Sequence, residues 1–245
     1  MARVIKAPEV RRAEILQVAW GLFAERGYEG TKVAMVLERA GIAKGTFYHY
    51  FASKEALLDA VVEAMTERGL VEVQAAMAAA GAGGLQQLNA FLTASRGLRT
   101  DNMALIVDIA LVLHRDENAI MLRKLRRRVD GRVRPILAAI VATGAGEGAF
   151  DAGPPYDEMA QVILDLGHAV ANQNLDTLIE RRPPRETANT ILRRLNAVGT
   201  AVERLLETKG PLSVIDDGFV AALERYLDER GKKSQGGNDD SNTSA

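Results

Sequence analysis

Residues 40–57 read AGIAKGTFYHYFASKEAL, and this stretch decides how the whole sequence is interpreted. Immediately before it, Val33, Val36 and Leu37 recur at helical spacing, and Gly41 follows where this pattern stops. Glycine adopts the positive φ that a tight turn requires, so we expect the first helix to end at Gly41. A second short helix is expected over about 44–51. The sequence therefore predicts a helix, a tight turn and a helix.

The second short helix has two chemically distinct faces. Phe47 and Phe51 lie four residues apart, so we expect both to pack against the preceding helix. On the opposite face, Lys44 and Tyr48 lie four residues apart, as do Gly45 and His49. The major groove of DNA admits a helix of this kind, whose polar outer residues meet the base edges. Thr46, Tyr50 and Lys54 have the hydroxyl groups and the charge that suit phosphate contacts.

The stretch 40–57 resembles the signature of the TetR (tetracycline-repressor-like) transcriptional regulators. The preceding segment Arg12–Thr31, with Gly27 and Tyr28, is similar to the family's first helix and its exit. The resemblance covers about the first 60 residues. It implies a homodimeric repressor that reads a palindromic DNA operator through one small helix-turn-helix domain per subunit. It also implies a larger helical domain that binds a small-molecule effector, which releases the DNA.

The resemblance also implies a role for each position of the motif. The residues expected to face base edges are Lys44, Gly45, Tyr48 and His49, and those expected to hold phosphates are Thr31, Lys32, Thr46, Tyr50 and Lys54. Two positions depart from the family's usual pattern. Ala43 replaces a Ser or Thr that would cap the recognition helix, and Leu37 replaces a small residue near the contact between the two helices.

The rest of the sequence also reads as helices, so we predict an all-α fold. Apolar residues recur at intervals of three and four, and alternating β-branched runs are nearly absent. After a long helix from Ser53 to about Ala80, further helices are expected over 85–96, 102–113, 117–143, 157–181, 186–208 and 216–230. We predict a DNA-binding domain over 1–55, an effector-binding and dimerisation domain over 56–230, and a disordered tail over 231–245 that is rich in Gly, Ser, Asn and Asp.

Composition supports two parts of different character. Of the 12 aromatic residues, seven lie in the first 55 residues, which also carry an excess of positive charge. The remainder is aliphatic and acidic, and the net charge of the chain is −1. The chain has no Cys, which excludes disulfides and thiol nucleophiles and fits a reducing, cytoplasmic setting. No run reaches the roughly 20 apolar residues of a membrane-spanning helix.

In the larger part, the family resemblance implies a subunit interface built from the helices 157–181 and 186–208. The apolar residues expected there are Leu164, Leu175, Leu178, Ile191, Leu195, Val198, Val202 and Leu205. The same residues could equally form the core of a single subunit. Both possibilities stay open on the sequence alone.

The resemblance also implies an effector pocket among the middle helices. Polar residues that interrupt apolar faces are its candidates: Asn102, Asp108, His114, His168 and Asn172. Each could instead be a core residue that is satisfied within the protein. The scarcity of aromatic residues in this part favours an aliphatic or amphipathic effector over a stacked planar one.

One other basic segment lies outside the motif. Arg115–Arg134 contains eight Lys or Arg residues, including three consecutive arginines at 126–128. Consecutive residues spread around a helix, so we expect a solvated face here rather than a DNA-binding one. If this segment did bind DNA, the interface would extend beyond the helix-turn-helix.

Two other classes of protein are weighed against a DNA-binding regulator. An enzyme is disfavoured because the three His residues are scattered, no Gly-rich phosphate loop follows a strand, and no nucleophile stands beside a base. We accordingly expect no metal and no cofactor. A helical interaction or scaffold protein that no longer binds DNA is the alternative, in which the motif would serve only as structure.

Overall fold

The computed structural model of the chain describes residues 7–101, 103–180, 182–212 and 215–236. Within them the regular elements are helices, and no strand occurs, so the predicted all-α fold is confirmed. The helices are α1 (Pro8–Gly30), α2 (Val33–Ala40), α3 (Lys44–Tyr50), α4 (Lys54–Ala80), α5 (Gly84–Asp101), α6 (Met103–Leu113), α7 (Ala119–Gly146), α8 (Tyr156–Ile179), α9 (Pro184–Leu206) and α10 (Asp217–Gly236). None of the helices in the described ranges is long and apolar enough to cross a membrane.

The end of α10 differs from the expected start of the tail. The helix continues through Gly231 to Gly236, although disorder was predicted from residue 231 onward. A single glycine costs a helix only about 1 kcal/mol relative to alanine, so Gly231 alone does not stop it. The remaining residues of the predicted tail, 237–245, lie outside the described part of the chain.

The chain divides into two compact units. The first contains the residues up to Arg68 together with Ala104–Leu113, and the second contains Gly69–Met103 and the residues from His114 onward. The first unit therefore includes the whole of α1–α3, the beginning of α4 and most of α6. The expected boundary at residue 55 falls inside this unit, and the assignment of functions to 1–55 and 56–230 stays a prediction.

In the first unit, α1 packs against α2, and α2 packs against α3. The largest fully buried side chains here come from four helices: Ile15, Leu22, Phe23, Val36, Phe47, Leu57, Leu58 and Val61. The chain bends sharply at Gly27, whose φ of 72° and ψ of 168° interrupt α1. The bend at Gly27 turns the chain toward α2.

The second unit is built on an antiparallel pair, α7 and α8, to which α9 and then α10 are added. Its core includes Leu88, Leu137, Ile140, Phe150 and Leu206. The beginning of α5 approaches α7 backbone to backbone, because a Cβ on Gly84 would lie 2.3 Å from backbone atoms of Gly144. The Gly84 N–H donates to the Glu147 carboxylate at 2.9 Å, which satisfies one free donor at the start of α5.

Candidate nucleic-acid interface

The turn between α2 and α3 is fixed by backbone hydrogen bonds at Gly41. Gly41 adopts φ 61° and ψ 41°, the left-handed conformation that the sequence predicted. Its N–H donates to the Glu38 carbonyl at 3.2 Å, and the Ile42 N–H donates to the Leu37 carbonyl at 3.0 Å. This pair of bonds is a Schellman motif, which ends α2 and sets the direction in which α3 begins.

The helix α3 presents one buried and one exposed face, as predicted. Phe47 and Phe51 are buried, and their ring centroids lie 5.8 Å apart. Tyr48, the neighbour of Phe47, is 48% exposed and meets the Phe47 ring edge to face. The outward residues also include Lys44, Gly45 and His49, while Thr46 and Tyr50 are half-buried at the margin. The side chains expected to contact bases are therefore available on one surface.

The start of α3 lacks a side-chain cap. Ala43 occupies the N-cap position in extended conformation, and no side chain bonds the free N–H groups there. This confirms the weakness predicted from the sequence. By contrast, α4 is capped, because the Ser53 hydroxyl accepts the Ala56 N–H at 3.1 Å.

Thr31 is the one predicted phosphate contact that the structure corrects. Its side chain is only 1% exposed, and its hydroxyl lies 2.8 Å from the Gly27 carbonyl and 3.1 Å from that of Leu22. The hydroxyl proton is thus used within the protein, where it ties the end of α1 to the following turn. Lys32, the next residue, is exposed.

Lys54 is held by a residue whose role the sequence reasoning missed. Its ammonium lies 4.0 Å from the centroid of the Tyr28 ring, a cation–π contact. Burial is the largest influence on the Lys54 amine and lowers its pKa, against the opposing effect of Glu29 and Glu55. Burial and then the charge of Glu55 raise the pKa of Tyr28 to about 12. An aromatic residue just after Gly27 was the available signal, and it was interpreted only as part of the motif.

The region from α1 to α4 matches the model of the bacterial regulatory proteins of the tetR family over residues 15–61. Residues 15–61 of the chain are therefore similar to the DNA-binding module of the TetR family. Among curated relatives, the repressor KstR2 of Mycobacterium tuberculosis strain H37Rv is 46% identical over 59 residues, which are 24% of this chain and 30% of that protein. The repressor AcnR of Corynebacterium diphtheriae is 41% identical over 78 residues, 29% of this chain and 41% of that protein. The chain thus spans less than half the length of these relatives.

Two solved structures resemble the chain over a longer range. A TetR-family regulator from Pectobacterium atrosepticum has a TM-score of 0.62 at 22% identity and covers 83% of this chain and 97% of its own. GusR of Salmonella enterica has a TM-score of 0.56 at 23% identity and covers 84% of this chain and all of its own. At these identities the likeness shows that the fold is shared.

The predicted effector residues do not form one cluster. Asp108 belongs to the first unit, where its carboxylate lies near the backbone of Gly27. In the second unit, His114 pairs with Asp176 at 2.8 Å. Asn102 lies outside the described residues. Two open surface hollows, of about 370 Å³ on α1 and α2 and about 790 Å³ on α9, are lined by none of the five residues.

His168 and Asn172 do come together, and they face α7. The Asn172 amide oxygen accepts a hydrogen bond from Arg126, and His168 Nε2 lies 3.4 Å from Asp130 Oδ1. That Asp130 oxygen is buried and has no hydrogen-bond partner among the described residues. Burial raises the pKa of Asp130, against the opposing charge of His168. We call the polar residues between α7 and α8 the polar seam: Arg126, Asp130, His168 and Asn172. One of its groups, the Asp130 oxygen, lacks a hydrogen-bond partner among the described residues.

Much of the predicted subunit interface packs inside the chain, and its role between subunits stays a prediction. Leu178, Ile191 and Val202 are buried inside the subunit, so they cannot be its exposed contact surface. Others of the set pack against the core of the second unit: Leu164, Val198 and Leu205. Leu175 and Leu195 are half-buried. The apolar face of α9 is occupied within its own chain, because α8 and α10 both pack on this helix.

Proposed function

We propose that the chain is a sequence-specific DNA-binding transcriptional regulator, acting as a homodimeric repressor that a small-molecule effector releases from a palindromic operator. The observation that carries the DNA-binding part is the two-faced helix α3. Its aromatic residues Phe47 and Phe51 are buried, while Lys44, Tyr48 and His49 point outward. A regulator of this kind acts where the cell holds its DNA, so the expected cytoplasmic location is part of the proposal.

The DNA-binding part is tested by fluorescence anisotropy with duplex DNA from upstream of the chain's own gene, at two salt concentrations. Lys44→Ala or Tyr48→Ala should each cost roughly 1–3 kcal/mol of binding free energy and alter base preference, because these side chains face base edges. Lys32→Ala serves as the comparison, since loss of a phosphate contact should weaken all sequences alike. Equal losses on every sequence for all three variants would contradict the base-contact assignment. A chain that binds no DNA would leave the interaction-protein alternative.

The homodimer part of the proposal now centres on the outer face of α8. Val162 is 45% exposed, and Ala169, seven residues further along the helix, is exposed as well. This spacing produces an apolar stripe on one side of a helix. Any contact of α9 with the second subunit would come from the edge of its outer face, because its apolar face packs within the chain.

The effector part rests on the polar seam between α7 and α8. We place the effector's polar group near His168, Asn172 and the unsatisfied oxygen of Asp130, which would accept a hydrogen bond from it. A hydrogen-bond donor would complement the Asp130 oxygen, and the scarcity of aromatic residues in this part of the sequence favours an aliphatic or amphipathic effector. A thermal-shift screen of such molecules should yield a stabilising compound whose effect His168→Ala abolishes. A stabilising compound that is insensitive to His168→Ala would place the effector elsewhere.

A further inference from the structure

The first turns of α7 carry cations that the proposed function does not use. The basic segment Arg115–Arg134 is divided by the structure into inward and outward groups. Arg126 points toward α8 and donates to Asn172. Arg134 lies near Asp130, and its charge acts to lower the pKa of that carboxyl. Three other side chains are exposed on the outer side of α7: Arg123, Lys124 and Arg127. We call these three the α7 cationic face.

The charge of the α7 cationic face is not neutralised by any residue in the described ranges. Within the described ranges, none of its three side chains has an ion pair or hydrogen bond. The residues three and four positions from Arg123 and Lys124 are all apolar or cationic. The one acidic neighbour of Arg127 at such a distance, Asp130, is turned toward His168. Like charges four residues apart, as at Arg123 and Arg127, disfavour a helix, so this face does not help α7 to form.

We propose that the α7 cationic face binds the phosphate backbone of duplex DNA, as a contact outside the helix-turn-helix. Duplex DNA carries one negative charge per roughly 1.7 Å of its axis, so a compact group of cations meets several phosphates. A helix rises about 1.5 Å per residue, which places Arg123 and Arg127 roughly 6 Å apart along α7. The net charge of the chain is −1, so the attraction is local to this face rather than general. The inference rests on the proposed function, which makes duplex DNA the polyanion at hand.

The experiment compares two triple variants of the full chain. One is Arg123→Gln with Lys124→Gln and Arg127→Gln. The matched control is Arg185→Gln with Arg193→Gln and Arg204→Gln, three exposed arginines of α9 whose loss changes the net charge equally. Circular dichroism and thermal unfolding first establish that both variants are folded like the parent.

Binding is measured on random-sequence duplex over a range of salt concentrations, in the parent chain and in a background of Lys44→Ala with Tyr48→Ala. That background removes the proposed base contacts of α3, so the remaining affinity reports phosphate contacts, those of the helix-turn-helix together with any at α7. The slope of log K against log salt is negative and gains about 0.9 in magnitude for each phosphate contact, so the α7 variant should reduce its magnitude by roughly 2 to 3. The α9 control should leave the slope unchanged.

Each other outcome overturns the inference. Unchanged slopes, or equal losses in the two triple variants, would show no specific contact at α7. Binding of polyglutamate that depends on the α7 cationic face, without duplex binding, would identify an acidic protein as its partner. The proposed function fails separately, if the parent chain shows no sequence preference while its random-sequence binding still depends on α7.

Discussion

At the scale of single residues, the uncapped start of α3 offers a direct test. Ala43→Ser would supply a hydroxyl to the free N–H groups at the N-terminus of this helix. We expect the free energy of unfolding to rise by about 1 kcal/mol, the usual worth of an N-cap. Urea denaturation measures it. Ala52→Ser, an exposed position outside any helix, is the control and should have little effect.

Tyr28 provides a second residue-level prediction through its contact with Lys54. Tyr28→Phe keeps the ring beneath the Lys54 ammonium, whereas Tyr28→Leu removes it. We expect the Leu variant to weaken DNA binding on all sequences, because Lys54 loses the surface that positions it. The Phe variant should bind DNA nearly as the parent does. Equal affinities for parent, Phe and Leu variants would show that the ring does not position Lys54.

The raised pKa of Tyr28 also predicts a pH dependence. The phenol ionises near 10 when unfolded and at about 12 in the native protein, where burial disfavours its charged form. The stability it contributes is therefore complete below pH 10 and lost as the pH rises toward 12. Urea denaturation across this range should show a decline that is smaller in Tyr28→Phe. The same decline in both proteins would assign it to other groups.

At the scale of elements, the backbone contact between α5 and α7 is the least tolerant point of the second unit. A Cβ at Gly84 would lie 2.3 Å from backbone atoms of Gly144, which cannot move aside as a flexible side chain can. We expect Gly84→Ala to lower the free energy of unfolding by roughly 1–3 kcal/mol, as overpacking does. Thermal or urea unfolding provides the measurement.

The matched control for that substitution lies on α7. A Cβ at Gly131 would meet nothing within 4 Å. Gly131→Ala should therefore stabilise the protein by up to about 1 kcal/mol, because alanine favours the helix. If Gly84→Ala and Gly131→Ala changed stability in the same direction, close backbone packing at Gly84 would not be limiting.

The sequence predicted the elements well because their signals are local. Gly41, the spacing of Phe47 and Phe51, and Ser53 at the start of α4 each act on neighbouring residues. The packing partner of the apolar face of a longer helix is harder to predict. An apolar stripe such as that of Ile191 and Val202 has the same spacing whether it meets its own chain or a second copy. Thr31 was misassigned because its partners, the carbonyls of Gly27 and Leu22, carry no signal in the side-chain pattern.

At the scale of the whole molecule, the proposed homodimer can be tested through its proposed contact on α8. Val162→Arg should shift the protein from dimer to monomer, because a charge would then lie in the proposed α8 contact. Analytical ultracentrifugation measures the change. Val71→Arg is the matched control, since Val71 of α4 is 65% exposed and lies outside that stripe. A Val162→Arg protein that remains dimeric would move the interface elsewhere. Leu195, an expected interface residue on α9, is a poor position for this test, because it is half-buried and an arginine there would also disturb the fold of the single chain.

The internal packing of α9 has a consequence for how an assembly would form. Since Leu178, Ile191 and Val202 are shielded from water within one chain, the homodimer that we propose would not be needed to bury them. Pairing and folding then become separable events. Dilution would dissociate the proposed homodimer into folded monomers, which would re-associate at higher concentration.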